Sequence, residues 1–517
     1  MAIKIIMLLV FALVTIYVGF YFRKKAQSVE GFVLGGRSVG PWLSAFAFGT
    51  AYSSAVSFVG YAGQFGWRFG TAAIWIGALN CIFGVLLPWV ILGRRTRIMT
   101  HYLKSSTMPE FFGTRYMSDA LKIGASFIVF IFMVPYTASL YNGLSRLFAM
   151  AFHVNFVYCI IAMAILTAVF VVVGGYIATA ANDFIQGIIM LIGIVAIIAT
   201  VLKTNGGFTE AIHSLARINV DEAATVPGVF TSFYGPDPIS LLGVIILTSL
   251  GTWGLPQMVS KFYSIKSEKV ITTGAVVSTF FSLVVAGGFY FNGSFGRLYA
   301  NVVERAANGS VIYDSVVPIM VSQFPDVMIG LVILLVFAAS ISTLSSLVMV
   351  SASTLTLDFL KGHVIKKMDD KKQLLIIRGL IVVFIIISSY IAIIQYRGGI
   401  AFIAQFMAIS WGALAGSFLA PFLYGLYWKR VSRAAVWCNF IFSTALMVLN
   451  ILFRSSFPVI LQSPINAGAF TMLAGLVIVP VVSVLTKAPD QDQVNKFFSC
   501  YEETVTVKLR DDLGNNA

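Results

Sequence analysis

The chain has 517 residues, of which 58% are hydrophobic and only 11% charged, with a formal net charge of +14 at pH 7. A soluble domain carries roughly a quarter charged residues, so a soluble globular protein of this size is excluded. A nucleic-acid partner is excluded by position, because the basic residues fall in short loops between apolar runs. The four cysteines, Cys81, Cys159, Cys438 and Cys500, are far apart and form neither a disulfide framework nor a metal-ligand spacing.

Apolar runs recur from Ile3 to Leu485, each about 20 residues long and able to cross a hydrocarbon core of about 30 Å. Lipid offers the backbone no hydrogen-bond partner, so the spans must be helices. An all-α integral membrane protein is predicted. In chain order the spans are 3–22, 41–66, 71–93, 120–150, 156–178, 183–203, 238–262, 271–297, 325–358, 373–395, 399–428, 433–453 and 464–486, about 13 in all. The first, Ile3 to Phe22, has no basic leader or cleavage site and reads as a retained helix. Residues 1–486 read as a single transmembrane domain and 487–517 as a tail.

Basic clusters fall in alternate loops: Arg23-Lys24-Lys25, Arg94-Arg95-Arg97, Lys261 with Lys266 and Lys269, Lys366-Lys367 with Lys371-Lys372, and Lys429-Arg430 with Arg433. The intervening loop 204–237 is mixed, with Glu210, Asp221 and Glu222. Basic loops stay on the cytoplasmic side. The expectation is a multi-pass plasma-membrane protein with its amino terminus outside and its carboxyl tail inside.

Two spans look broken. Gly49-Thr50-Ala51-Tyr52-Ser53-Ser54 puts glycine and hydroxyls at mid-membrane depth, and Gly251-Thr252-Trp253-Gly254-Leu255-Pro256 does the same with glycine and proline. Proline removes a helix hydrogen bond and clashes with the preceding turn, freeing carbonyls for another partner. The breaks fall in the first and sixth of ten successive spans, 41–203 and 238–428. An inverted five-plus-five repeat with a midplane site has that arrangement. Small residues at either break could alternatively serve close helix packing.

In the ninth span Ser342, Ser345 and Ser346 share one helical face, with Thr343 one turn beyond Ala339. Hydroxyls and carbonyls suit a hard cation that must leave again, although Ser and Thr can also bond back to their own helix. Asp183 reads either as a helix cap beside Asn182 or as an embedded carboxylate beside a cation path. No zinc-protease motif, phosphate loop or nucleophile elbow is present, so an enzyme is not expected.

Four motifs carry a resemblance. Leu34-Gly35-Gly36-Arg37-Ser38, Thr107-Met108-Pro109-Glu110-Phe111-Phe112, Gly174-Gly175-Tyr176 with Asp183-Phe184-Ile185-Gln186, and Ser342-Thr343-Leu344-Ser345 resemble the sodium:solute symporter family, in order, from about residue 3 to Arg433. That family includes bacterial proline, pantothenate, acetate, sialic acid and sugar symporters. The resemblance implies a leucine-transporter-type inverted repeat with one extra amino-terminal and two extra carboxyl-terminal helices. It implies sodium as the coupling ion, held by carbonyls of Thr50, Ser53 and Ala339 and hydroxyls of Ser342 and Thr343. Asp183, Ser345 and Ser346, with Ser342 shared, match a second sodium site found in some members.

The solute is harder to read. The proline symporters carry an aspartate where this chain has Tyr52, and Trp and Tyr where it has Thr248 and Thr252, whereas Tyr136 and Pro256 match. A pocket between the breaks and the fourth span is expected from Tyr52, Ser54, Ser57, Tyr136, Asn142, Thr252 and Trp253. The expected function is sodium-coupled symport of a small organic solute, an amino acid or monocarboxylate, by alternating access. A sugar or sialic acid symporter, a passive channel and a sensor are the alternatives; no obligatory protein partner is evident.

Overall fold

The computed structural model describes residues 2–218, 226–365, 367–398 and 403–502. Asp221, Glu222, Lys366 and the tail from 503 onward lie outside the described residues. Within them the secondary structure is helical, apart from three isolated bridges. Ten stretches are long and apolar enough to cross a membrane, or eleven when one bent pair is joined.

The elements that matter here are α1 (Ala2–Phe22), α2 (Pro41–Tyr52), α3 (Asp119–Phe152), α4 (Phe156–Thr204), α5 (Pro238–Gly254) and α6 (Pro256–Tyr263). They continue with α7 (Lys269–Gly293), α8 (Asp326–Thr354), α9 (Asp370–Gly398), α10 (Ile403–Tyr427), α11 (Arg433–Leu452) and α12 (Pro464–Leu485). In α8 and α10, 78% and 83% of the most apolar window is buried, against 17% in α1. The first two are therefore central, and α1 presents most of its surface to lipid.

α2 starts on Pro41, whose missing N–H costs nothing at a first helical position. It stops at Ser53, which is extended (φ −93°, ψ 107°), and helix resumes at Val56–Ala62. The second break has a different cause. Leu255 precedes Pro256, which steers it to an extended conformation (φ −76°, ψ 121°). α5 and α6 meet there at 43°.

α4 is 49 residues long, about 74 Å at helical rise and more than twice the hydrocarbon thickness. Its direction changes at Gly175 (φ +61°, ψ −165°), a conformation barred to L side chains, and a Cβ there would meet Ala26 at 2.9 Å. Asp183 lies about two turns beyond that kink, inside the helix. The capping reading of Asp183 is thereby corrected: the restart is at 176, and no free helix N-terminus lies beside it.

On the basic side, buried Arg115 donates Nε–H to the Gly425 carbonyl (2.9 Å) and Nη2–H to that of Trp428 (3.1 Å), satisfying the end of α10. Arg95 donates to Leu426 O at 3.0 Å and lies over the rings of Tyr427 (4.1 Å) and Tyr501 (4.6 Å). Part of the tail docks here as well: a short helix, Gln491–Phe498, returns to this face.

Packing between the resumed first broken span and α7 is backbone on backbone. A Cβ on Gly66 would stand 1.9 Å from the Gly293 carbonyl oxygen, whereas one on Gly287, in the same α7, meets nothing within 4 Å. Gly66→Ala is expected to destabilise the protein by about 1–3 kcal/mol or more, and Gly287→Ala to leave it unchanged. Thermal unfolding of the two purified variants in detergent checks the contrast.

Candidate functional site

The break after α2 lies against the middle of α8. Thr50 donates its hydroxyl to its own helix at Phe46 O (2.7 Å), and Ser342 donates in turn to Thr50 Oγ1 (2.9 Å). Thr343 Oγ1 lies 3.1 Å from Ala339 O and 3.5 Å from Ala51 O. A hydroxyl has one proton and two lone pairs, so each of these oxygens keeps acceptor capacity after donating. Ser53 Oγ is buried without a hydrogen-bond partner. Oxygens alone, uncharged and sealed from water, make this cluster fit a weakly held hard cation. Thr50, Ala339, Ser342 and Thr343 are brought together; Ser53 sits at the break itself.

The second expected set looks different. Asp183 and Ser346 do approach one another, but with Lys261 between them. Its ammonium donates to Ser346 Oγ at 3.0 Å, lies 3.8 Å from Asp183 Oδ2, and is 5.2 Å from the centre of the Tyr176 ring. Ser345 donates its hydroxyl to Ile341 O on its own helix. Lys261 was expected in a cytoplasmic basic loop with Lys266 and Lys269. That placement is corrected: Lys261 is 2% exposed, inside α6, while Lys266 and Lys269 are exposed.

The expected solute residues divide into two groups. Tyr52 and Tyr136 are buried near the first break, with Tyr136 edge-on to Trp411 at 6.0 Å. Ser54 accepts from the Ser57 N–H at 3.4 Å, closing the restarted helix like a cap. Other side chains are committed elsewhere. Asn142 donates to Gln395 on α9. Thr252 donates to Gly84 O (2.7 Å) and Trp253 Nε1–H to Phe83 O (2.7 Å). Both carbonyls lie in a π-helical stretch, Asn80–Leu86, whose widened ladder leaves acceptors for them.

Two residues were missed. Lys261 could have been found from its neighbours Met258, Val259, Phe262 and Tyr263, which mark a buried helix rather than a loop. Asn80 accepts from Thr248 (3.0 Å) and Ser249 (2.6 Å), and its Nδ2 is buried without a partner beside the second break. A lone amide inside an apolar run was its signal.

A family model described as the sodium:solute symporter family matches residues 32–441. The osmoregulated proline transporter OpuE of Bacillus subtilis (strain 168) is 25% identical over 497 residues, covering 95% of this chain and 96% of that protein. A sodium/proline symporter of Staphylococcus aureus (strain JH9) is 28% identical over 525 residues, covering 98% and 95%. Among solved structures, a substrate-bound, outward-open Na+-coupled sialic acid symporter aligns with a TM-score of 0.71 at 17% identity, over 95% of this chain and 99% of that one. That last likeness speaks for the fold alone.

Removing the indole N–H of Trp253 would take this donor from the Phe83 carbonyl, in a span where lipid offers no replacement. Trp253→Phe is expected to cost about 1–3 kcal/mol, read as a lower unfolding temperature of the purified protein. An unchanged temperature would show that this bond does not hold the second break to the neighbouring helix.

Proposed function

The chain belongs to the sodium:solute symporter family, and from that premise we propose that it carries a small amino acid or monocarboxylate inward with sodium by alternating access. The observation that carries the reading is the cluster of Thr50, Ala339, Ser342 and Thr343, which joins the break after α2 to α8. An ion there favours the arrangement in which the two elements touch. Through that preference it favours the state that binds solute, and differential affinity for the two states is what couples the gradients. One sodium ion crossing about 100 mV supplies roughly 2.3 kcal/mol from voltage alone.

The choice of solute draws on the relatives named for proline and on the chemistry of the breaks. Near the breaks, backbone N–H groups, hydroxyls and the spare amide of Asn80 would take a carboxylate, and Tyr52 and Tyr136 would wall its apolar part. Tyr52, Thr248 and Thr252 depart from the proline-symporter pattern, which keeps monocarboxylates within the proposal.

The same proposal includes about 13 spans as inverted repeats over about 41–203 and 238–428. Each over-long stretch, Pro41–Tyr102 and Phe156–Thr204, then counts as two crossings, and the bent pair α5 and α6 as one. The amino terminus would lie outside and the carboxyl tail inside the plasma membrane.

Uptake of labelled L-proline and small monocarboxylates into proteoliposomes, with and without a sodium gradient, tests the function. Ser342→Ala and Thr343→Ala should each raise the sodium concentration for half-maximal uptake several-fold in folded protein. Unchanged sodium activation in both would remove the ion from this cluster.

A further inference from the structure

Lys261 is the feature that symport at the first cluster does not use. Its side chain starts in α6, the half-helix after the second break, and ends between α4 and α8. All its partners are buried: Asp183 is 0% exposed and Ser346 3%. An isolated carboxylate in that position would carry a heavy desolvation cost, and a single positive charge offsets it. The ammonium provides that charge within the chain.

We infer that Lys261 is a tethered cation standing where a second sodium ion would sit, so that the protein binds one sodium ion rather than two. The inference rests on the sodium-symport reading and narrows it. Two observations support it independently of that reading. The ammonium engages the groups a second ion would use: it forms an ion pair with Asp183 at 3.8 Å, donates to the Ser346 hydroxyl at 3.0 Å, and lies over the Tyr176 ring at 5.2 Å. The cavity beside it, lined by Lys261, Ser346, Tyr176, Ser260 and Thr107, measures about 20 Å³, room for about one water molecule.

A sodium ion entering beside Lys261 would put two positive charges against one carboxylate in a buried site, which low dielectric penalises strongly. A free ion joins and leaves α4, α6 and α8 once per cycle, whereas the lysine stays on α6. Its ion pair with Asp183 therefore links these elements at every sodium concentration. For a solute without net charge, one ion instead of two sets the limiting accumulation ratio at the square root of the two-ion value; for a monocarboxylate anion, one-ion symport is electroneutral and draws nothing from the membrane potential.

Equilibrium binding of radiolabelled sodium to the purified full-length protein counts the ions without knowledge of the solute. The wild type should hold one ion per chain at saturation. Lys261→Met keeps much of the apolar stem but leaves Asp183 uncompensated, and should hold two. Lys261→Met combined with Asp183→Asn removes both charges and should return to one. Two ions in the wild type, or one in a monodisperse Lys261→Met protein, would overturn the inference. If that single variant does not fold, the wild-type count and the double variant decide, and a double variant holding fewer ions than the wild type overturns it. Wild-type protein that binds no sodium would instead overturn the symport reading itself.

Discussion

A polar backbone group in hydrocarbon has no solvent to fall back on, and the architecture around the two breaks is governed by that constraint. Interrupting a helix at mid-membrane depth releases N–H and C=O groups, each expensive to leave unpaired. Both interruptions lie among packed helices, and side chains tie them to their neighbours: Thr343 reaches the Ala51 carbonyl at the first, and Thr252 and Trp253 reach neighbouring carbonyls at the second. At the second break the neighbour is itself irregular: the π-helical stretch Asn80–Leu86 offers carbonyls to Thr252 and Trp253. At the first, the neighbour is the hydroxyl-rich middle of α8. One irregularity is held by another, and the polar groups left over are those available to ions and solute.

The same constraint explains why so much of the fold was legible. Spans of about 20 apolar residues announce themselves, and Pro256 locates its break to the residue because proline acts locally. The placing of Ser342 and Thr343 against the first break comes from the family motif rather than from helical spacing, since adjacent residues do not share a face. Residue-to-residue pairings between distant helices have no such local signature. Asp183 lacked a visible partner in the sequence because Lys261 lies 78 positions later, a separation read from the numbering. Lysines near a span end are ordinarily in loops, so the prior pointed the wrong way until burial settled it.

The solute residues show a second limit. Thr252, Trp253 and Asn142 have polar groups at the right depth, yet each satisfies a neighbouring helix instead. Sequence position gives depth in the membrane but not the direction in which a donor points. A hydroxyl or indole near a break serves first whichever acceptor the packing leaves open, and solute recognition draws on what remains.

The stacking of Arg95 on Tyr427 and Tyr501 offers a way to observe motion. Tyr427 ends α10, Arg95 belongs to the helix Arg94–Tyr102, and Tyr501 follows the returning tail. These three pieces are distant in the chain and meet around one guanidinium. If the helix bearing Arg95 shifts against α10, the guanidinium cannot stay stacked on both rings, and the tail must either follow it or detach. The tail thus acts as a mechanical indicator at the surface, away from ion and solute. Its rate of amide hydrogen exchange would report rearrangement of the buried interior without a label being placed in the transport path.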